Sequence, residues 1–417
     1  MREMREMLKT NGKIHHAWFI LLVCLGIMGG LVGILLNCTG IIFTEIIKEF
    51  GFRTGDLSIY YSIRSMVRAL ALGAVSGMFF KKNSKRVLIG ITAITCIAYM
   101  SMGLYTQLWQ WYISAVFIGI GTSYTGMAIS VLLANWFATK KGLVMGLAMS
   151  ASGVLGAVVS PMCSTLIVSI GWRGACVAMG LLTMAVVCIP AALFLVLTPQ
   201  EIGMKPYGWS ENPVENAKNK ISEINYTVPG YIFPVCVCII CLATLIGAVL
   251  NQLPLYSAQL GYGVATGAMI TSFAMWGNVL GKLLTGWLAD KVGPYKALTM
   301  TFAMVITALV MFMLCGASEY MLYFAALLFG TIYAVDANVP PLLFMDVYGA
   351  DYTKHLKNFQ TIGFALGTFS SSLLPYIYDF TGSYNVIFIL GIVWITVSLA
   401  MTWWLKLWLD KKKAGTK

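Results

Sequence analysis

Four ionisable side chains fall inside long apolar stretches of this 417-residue chain: Arg64, Arg68, Lys282 and Asp336. A charge at the centre of a hydrocarbon layer costs roughly 2.5–3.5 kcal/mol on insertion scales, so each must face an interior and find a partner there. Three positive groups against one negative leave an excess that an anionic ligand would neutralise. Arg64 and Arg68 lie one helical turn apart, where two guanidinium forks on one face can hold carboxylates by paired hydrogen bonds. Snorkelling to the outer interface, or pairing with Asp56, is the competing reading for Arg64. Lys282 supplies a point charge in place of a fork, and its rival reading is a stem reaching the nearby cytoplasmic end. Asp336 leaves three roles open: a proton carrier, an ion pair with Lys282 or Arg68 that opens when the anion arrives, and a purely structural pair.

Uncharged polar residues in the same stretches suit the orienting groups of a mostly apolar pocket: Asn37, Tyr124, Asn278 and Tyr333, with Tyr60, Tyr61, Asn251, Gln252 and Gln360. Tyrosines near the ends of such stretches fit an interfacial belt equally well. The ten cysteines lie mostly in apolar runs, and Cys238 and Cys241 read as small packing side chains although their spacing is CxxC. Three histidines, His15, His16 and His355, make no metal-ligand pattern. With no phosphate loop or nucleophile elbow either, the expectation is a protein without cofactor or enzymatic chemistry.

The elements that must carry these residues follow from composition. Hydrophobic residues are 59% of the chain and charged ones 11%, against about 45–50% and about 25% in soluble domains. Runs of about 20 apolar residues cross a bilayer, and lipid requires them to be helices, since a barrel would alternate. The runs number twelve, six between residues 17 and 197 and six between 229 and 408. The expected organisation is all-α: a six-helix bundle over 1–197, a cytoplasmic linker over 198–228 with Pro199, Pro206 and Pro213, and a second six-helix bundle with a short basic tail over 229–417. The first run is too long for the core of a cleaved leader.

The net charge of +12 is distributed by topology. With both termini cytoplasmic, 22 Lys and Arg fall inside, three outside (Lys48, Arg53, Arg173) and three within spans, which orients the chain by the positive-inside rule. The basic ends then read as contacts to anionic lipid, not to nucleic acid. A monomer in the cell membrane is expected.

Two segments look like copies of one cytoplasmic joint. Gly77, Lys81 and Arg86 bracket the first; Gly286-x-x-x-Asp290-Lys291-x-Gly293-x-x-Lys296 forms the second, 209 positions later, close to half the chain. Halves of similar length place a ligand site at their interface near the midplane. The second segment resembles the loop motif of the major facilitator superfamily, while the first departs from it in carrying Lys81 where that motif has Asp. Asn135-Trp136-Phe137, Lys140-Lys141-Gly142, Gly171-Trp172-Arg173, Pro199-x-Glu201-x-Gly203, Pro206-x-Gly208 and Tyr378-Asp379-x-Thr381-Gly382 resemble the monocarboxylate and oxalate/formate exchanger branch.

That resemblance implies two bundles rocking about a central site, driven by protons or a counter-substrate, with the Gly77 and Gly286 segments stabilising the closed cytoplasmic side. Its relatives carry a basic residue, usually Arg, where Lys282 stands. The chain lacks the branch's mid-helix lysine in the eleventh span, having Lys357 at the edge instead, and has Asn37 where animal monocarboxylate carriers use lysine. The expected activity is secondary transport of a small mono- or dicarboxylate by proton symport or anion exchange. The alternatives are an exporter of amphipathic or drug-like compounds and, more distantly, a transporter-like sensor, for which the tail at Lys411 offers no signalling domain.

Overall fold

The computed structural model describes residues 9–10, 13–79, 84–138, 141–209, 228–314, 318–337, 339–348, 355, 359 and 372–414. Lipid offers no partner to backbone N–H and C=O groups, and the described chain answers with helices almost throughout. Among the described residues, seven helical stretches are long and apolar enough to cross a membrane, including His16–Phe50, Ser84–Leu104 and Tyr384–Lys413. Leu143–Phe194, at 52 residues, would be about 78 Å long as one helix, far beyond a core of about 30 Å. It breaks at Gly171, whose φ of 76° and ψ of 164° are not helical, so it is two helices, each long enough for one crossing. Of its most apolar stretch just 28% is buried within the protein.

The chain forms two compact units. One comprises Met1–Ile42 and Val67–Asn216; the other comprises Phe43–Met66 and Ala217–Lys417. Along the chain, α1 (His16–Ile27) continues as a π-helix over Met28–Leu36 and then as α2 (Asn37–Phe50), which passes from the first unit to the second at Phe43. α3 is Thr54–Phe79, α4 Ser84–Met100, α5 Leu108–Ser123, α6 Thr125–Trp136 and α7 the broken helix Lys141–Phe194. The glycine-rich π segment packs on α7, with Gly33 against Ser152 and Gly30 against Val187. A two-residue antiparallel pair, Lys9–Thr10 with Lys13–Ile14, precedes α1.

The second unit adds α8 (Ile232–Gly247), α9 (Leu253–Gln259), α10 (Val264–Val292), α11 (Pro294–Leu314), α12 (Glu319–Gly330), α13 (Tyr333–Ala337), α14 (Val339–Tyr348), a helical segment 372–381 and α15 (Tyr384–Ala414). Its core is built from Ile240, Phe302, Phe312, Phe329, Phe344 and Phe388. α10 and α12 cross at glycines: a methyl on Gly277 would meet the Leu327 carbonyl, and one on Gly330 the Ala274 carbonyl. Such contact without side chains lets helices associate where no hydrophobic drive exists between them. The expected seventh span is interrupted after Asn251, because Pro254 in the first turn of α9 cannot continue the preceding hydrogen-bond ladder.

Candidate functional site

The first half of α3 is held in the second unit by a row of polar contacts. Its first amides lack intrahelical acceptors, and the Asp379 carboxylate accepts from Gly55 N at 2.6 Å and Thr54 N at 3.2 Å. Asp56 accepts from the Tyr376 hydroxyl at 2.8 Å. One and two turns on, Ser58 Oγ accepts from Gln252 Nε2 at 3.3 Å, and the Ser62 and Ser372 hydroxyls pair at 2.6 Å. Thr54, Ser58 and Ser62 are spaced by four, so this docking fixes the rotation of α3 and the directions of its other side chains.

Tyr60, Tyr61 and Arg64 are among those side chains. Tyr60 and Tyr61 are buried, with the Phe43 ring 5.0 Å and 5.3 Å from theirs. The Arg64 guanidinium carbon stands 5.7 Å from the Tyr60 centroid and 5.2 Å from that of Tyr61, within cation–π range. Among the described residues, buried Arg64 Nη1 has no hydrogen-bond acceptor and the Tyr61 hydroxyl has no partner. Tyr333, opening α13, is close enough to Tyr61 to act on it electrostatically.

Asn278 and Lys282 are one turn apart on α10. Asn278 is 4% exposed, and its Oδ1 has no partner among the described residues; Lys282 is half-buried. Asp336 lies in α13, and its side chain is outside the described part. In the first unit, Asn37 Nδ2 donates to the Ser152 carbonyl at 3.2 Å, and the Tyr124 hydroxyl pairs with Thr92 at 3.1 Å. Half-buried Arg68 belongs to that unit too. Arg64 and Tyr333 thus gather around Tyr61, Asn278 and Lys282 share a helix, and Asn37 and Tyr124 bond within their own unit. The contributions of Phe43, Ser58 and Tyr376 carry no signal in the sequence, whereas Tyr61 with Arg64 is readable as an i, i+3 pair.

Of the two similar segments, Gly286 lies in α10 and Gly293 ends it at φ 86°, donating to the Ala289 carbonyl at 3.1 Å. Lys291 Nζ sits 4.2 Å over the Trp287 ring. Gly77 falls in α3 and Arg86 is exposed on α4, while Lys81 and the Asp290 side chain lie outside the described part.

Other motif residues meet at one end of the first unit. Tyr207 N donates to the Trp136 carbonyl at 2.8 Å, and Ala138 N donates to the Tyr207 carbonyl at 2.9 Å. Asn135 Nδ2 and Trp136 Nε1 donate to the Leu197 and Val196 carbonyls. His15 caps α1 by accepting from Ala17 N at 3.2 Å, with the Tyr207 ring 5.5 Å away. Burial holds the His15 imidazole below its ordinary pKa of 6.5, against an opposing hydrogen bond with the Lys205 backbone.

A family model described as Major Facilitator Superfamily matches residues 19–352. Monocarboxylate transporter 13 of Bos taurus is 24% identical over 280 residues, 66% of this chain and 63% of that protein. The protein of the same name from Rattus norvegicus is 23% identical over 85% of this chain and 81% of its own length. Membrane sensor protein UhpC of Salmonella typhimurium is 26% identical over 52% of each. The chain therefore spans less than two thirds of the bovine transporter and about half of the sensor. Among solved structures, a bacterial homolog of the human lysosomal transporter Spinster, inward-facing and unoccupied, superposes with a TM-score of 0.66 at 13% identity, covering 95% of this chain and 98% of that one. The nucleoside transporter NupG superposes at 0.70 with 9% identity, covering 94% and 99%. At such identities the likeness is one of fold.

Proposed function

Because the chain belongs to the major facilitator superfamily, we propose that it is a secondary active transporter of a small organic anion, a mono- or dicarboxylate, working by proton symport or anion exchange. In this reading twelve crossings form two six-helix halves in the cell membrane, with both termini cytoplasmic. The observation that carries the anion is Arg64: a guanidinium held by aromatic rings inside an apolar helix, with Nη1 lacking an acceptor among the described residues. A buried guanidinium N–H left without an acceptor is costly, and a carboxylate supplies both acceptor and countercharge. Arg68 and Lys282 would add to the attraction, Asn278 and Tyr333 would orient the ligand, and Asp336 would exchange partners or protons as the site closes. The weak kinship to Monocarboxylate transporter 13 supports the same class.

The test is uptake into proteoliposomes of labelled mono- and dicarboxylates, with and without a pH gradient, by the wild type and by Arg68→Gln and Lys282→Gln. Loss of anion uptake in the variants is expected. Transport of cations or neutral solutes with no anion moved would overturn the proposal, and native affinity in both variants would make those two charges structural.

A further inference from the structure

We propose that His15 is a proton-operated latch: the neutral ring ties the start of α1 to the first residues of the linker, and the protonated ring lets the linker go. The imidazole precedes the first turn of α1 and is 7% exposed. Three pieces of the first unit meet around it, namely α1, the end of α6 and the chain from 198 to 209. Its Nδ1 accepts from Ala17 N at 3.2 Å, which satisfies an amide that the helix itself leaves without a partner. A ring nitrogen that accepts carries no proton, so the proton of the neutral ring is on Nε2. The bond with the Lys205 backbone favours a proton on the ring, as a bond donated to a carbonyl does, and Nε2–H is the donor left for it. Two residues on, Tyr207 N donates to the Trp136 carbonyl at 2.8 Å and Ala138 N to the Tyr207 carbonyl at 2.9 Å. The Tyr207 and Trp136 rings stand 5.5 Å and 6.5 Å from the imidazole. One ring thus joins a helix start to the linker, and it does so in one tautomer.

A second proton undoes this arrangement for two reasons. Imidazolium donates from both nitrogens, so Nδ1–H would face the Ala17 N–H, donor against donor, and the cap is lost. The ring would also set a positive charge at the positive end of the α1 dipole. The titratable groups on the elements around it are His16, Lys13, Lys141, Lys205, Tyr207 and Glu201. His16 Nε2 is 3.0 Å from the Phe194 carbonyl, and the Lys205 ammonium lies 3.9 Å over the Trp209 ring. The Glu201 carboxylate accepts from Thr198 N at 3.2 Å and from the Thr198 hydroxyl at 3.0 Å. Burial and the neighbouring His16 both hold the His15 ring below its ordinary 6.5. The latched form therefore prevails at about pH 6.5 and above, and opens as the pH falls through the lowered value. The linker joins the two halves of a transporter, so acid on the side where the amino terminus lies lengthens the free part of that connector. This goes beyond the transport reading and holds whichever solute is carried.

The closing experiment is amide hydrogen exchange read by mass spectrometry on the purified full chain at about pH 7.5 and about pH 5.5, with each rate divided by the intrinsic rate at that pH. In the wild type the Tyr207 and Ala138 amides should lose roughly five- to thirty-fold of their protection at the lower pH. His15→Gln offers an acceptor to Ala17 N and a donor to Lys205 and does not titrate, so its amides should stay protected at both values. His15→Arg, a permanent cation with donors alone, should exchange fast at both. The comparison of wild type with His15→Gln decides the matter even where the arginine variant does not fold, and a merely structural histidine would give no dependence on pH. Equal protection of the wild-type amides at the two pH values would overturn the latch. So would a loss in His15→Gln as large as that in the wild type, since the sensor would then be another group. The measurement needs no solute, so failure of every anion in the uptake assay would sink the anion reading and leave this result standing.

Discussion

Replacing Asp379 with alanine should loosen the start of α3. The carboxylate serves two amides that the helix itself cannot satisfy, at 2.6 and 3.2 Å. Removing an N-cap acceptor costs about 0.5–2 kcal/mol. Losing a negative charge at the positive end of a helix dipole adds about 0.3–1 kcal/mol. The expected sum is about 1–3 kcal/mol, and at about 2–4 °C per kcal/mol for a body of some 200 residues the apparent melting temperature should fall by about 2–12 °C. Asp379→Asn retains an acceptor and loses the charge, so its shift should be smaller. Tyr376→Phe, which removes the donor to Asp56, should be non-additive with Asp379→Ala because both act on one helix end. The assay is intrinsic-fluorescence unfolding in detergent at matched scan rates. An Asp379→Ala melting point within 1 °C of wild type, or full additivity with Tyr376→Phe, would refute this account of the joint.

Gly330→Ala should destabilise by about 1–3 kcal/mol, because its methyl meets the Ala274 carbonyl of α10, whereas Gly126→Ala, with open space around it, should unfold like wild type in the same assay. His15 is kept below its ordinary pKa by burial, so the unfolded chain binds the proton more readily and stability is full above about pH 6.5 and lost as pH falls below it. His15→Gln, which keeps an acceptor for Ala17 N, should flatten that part of a melting-temperature profile against pH.

Much of the fold is readable without coordinates, because lipid leaves an apolar run of about 20 residues one structural option. Breaks inside the runs are harder to see. A segment apolar on every face has no periodicity to mark where a helix pauses, as at Tyr124 or at Thr331 and Ile332. The motif phrases mark kinship, yet their physical work appears only on folding: Asp379 caps a helix 325 positions earlier, and the Trp136 carbonyl accepts from Tyr207 N, far along the chain.

For the candidate site the division falls in the same place. Residue types and spacing determine that Arg64 sits in an apolar helix, needs a partner, and shares a helical face with Tyr61, since hydration cost and the 3.6-residue turn are local properties. Whether any partner is supplied is decided by the tertiary structure, because hydrogen bonds form with whatever the chain brings near. Around Arg64 and Tyr61 it brings the rings of Phe43 and Tyr60, which confine a charge and do not pair it.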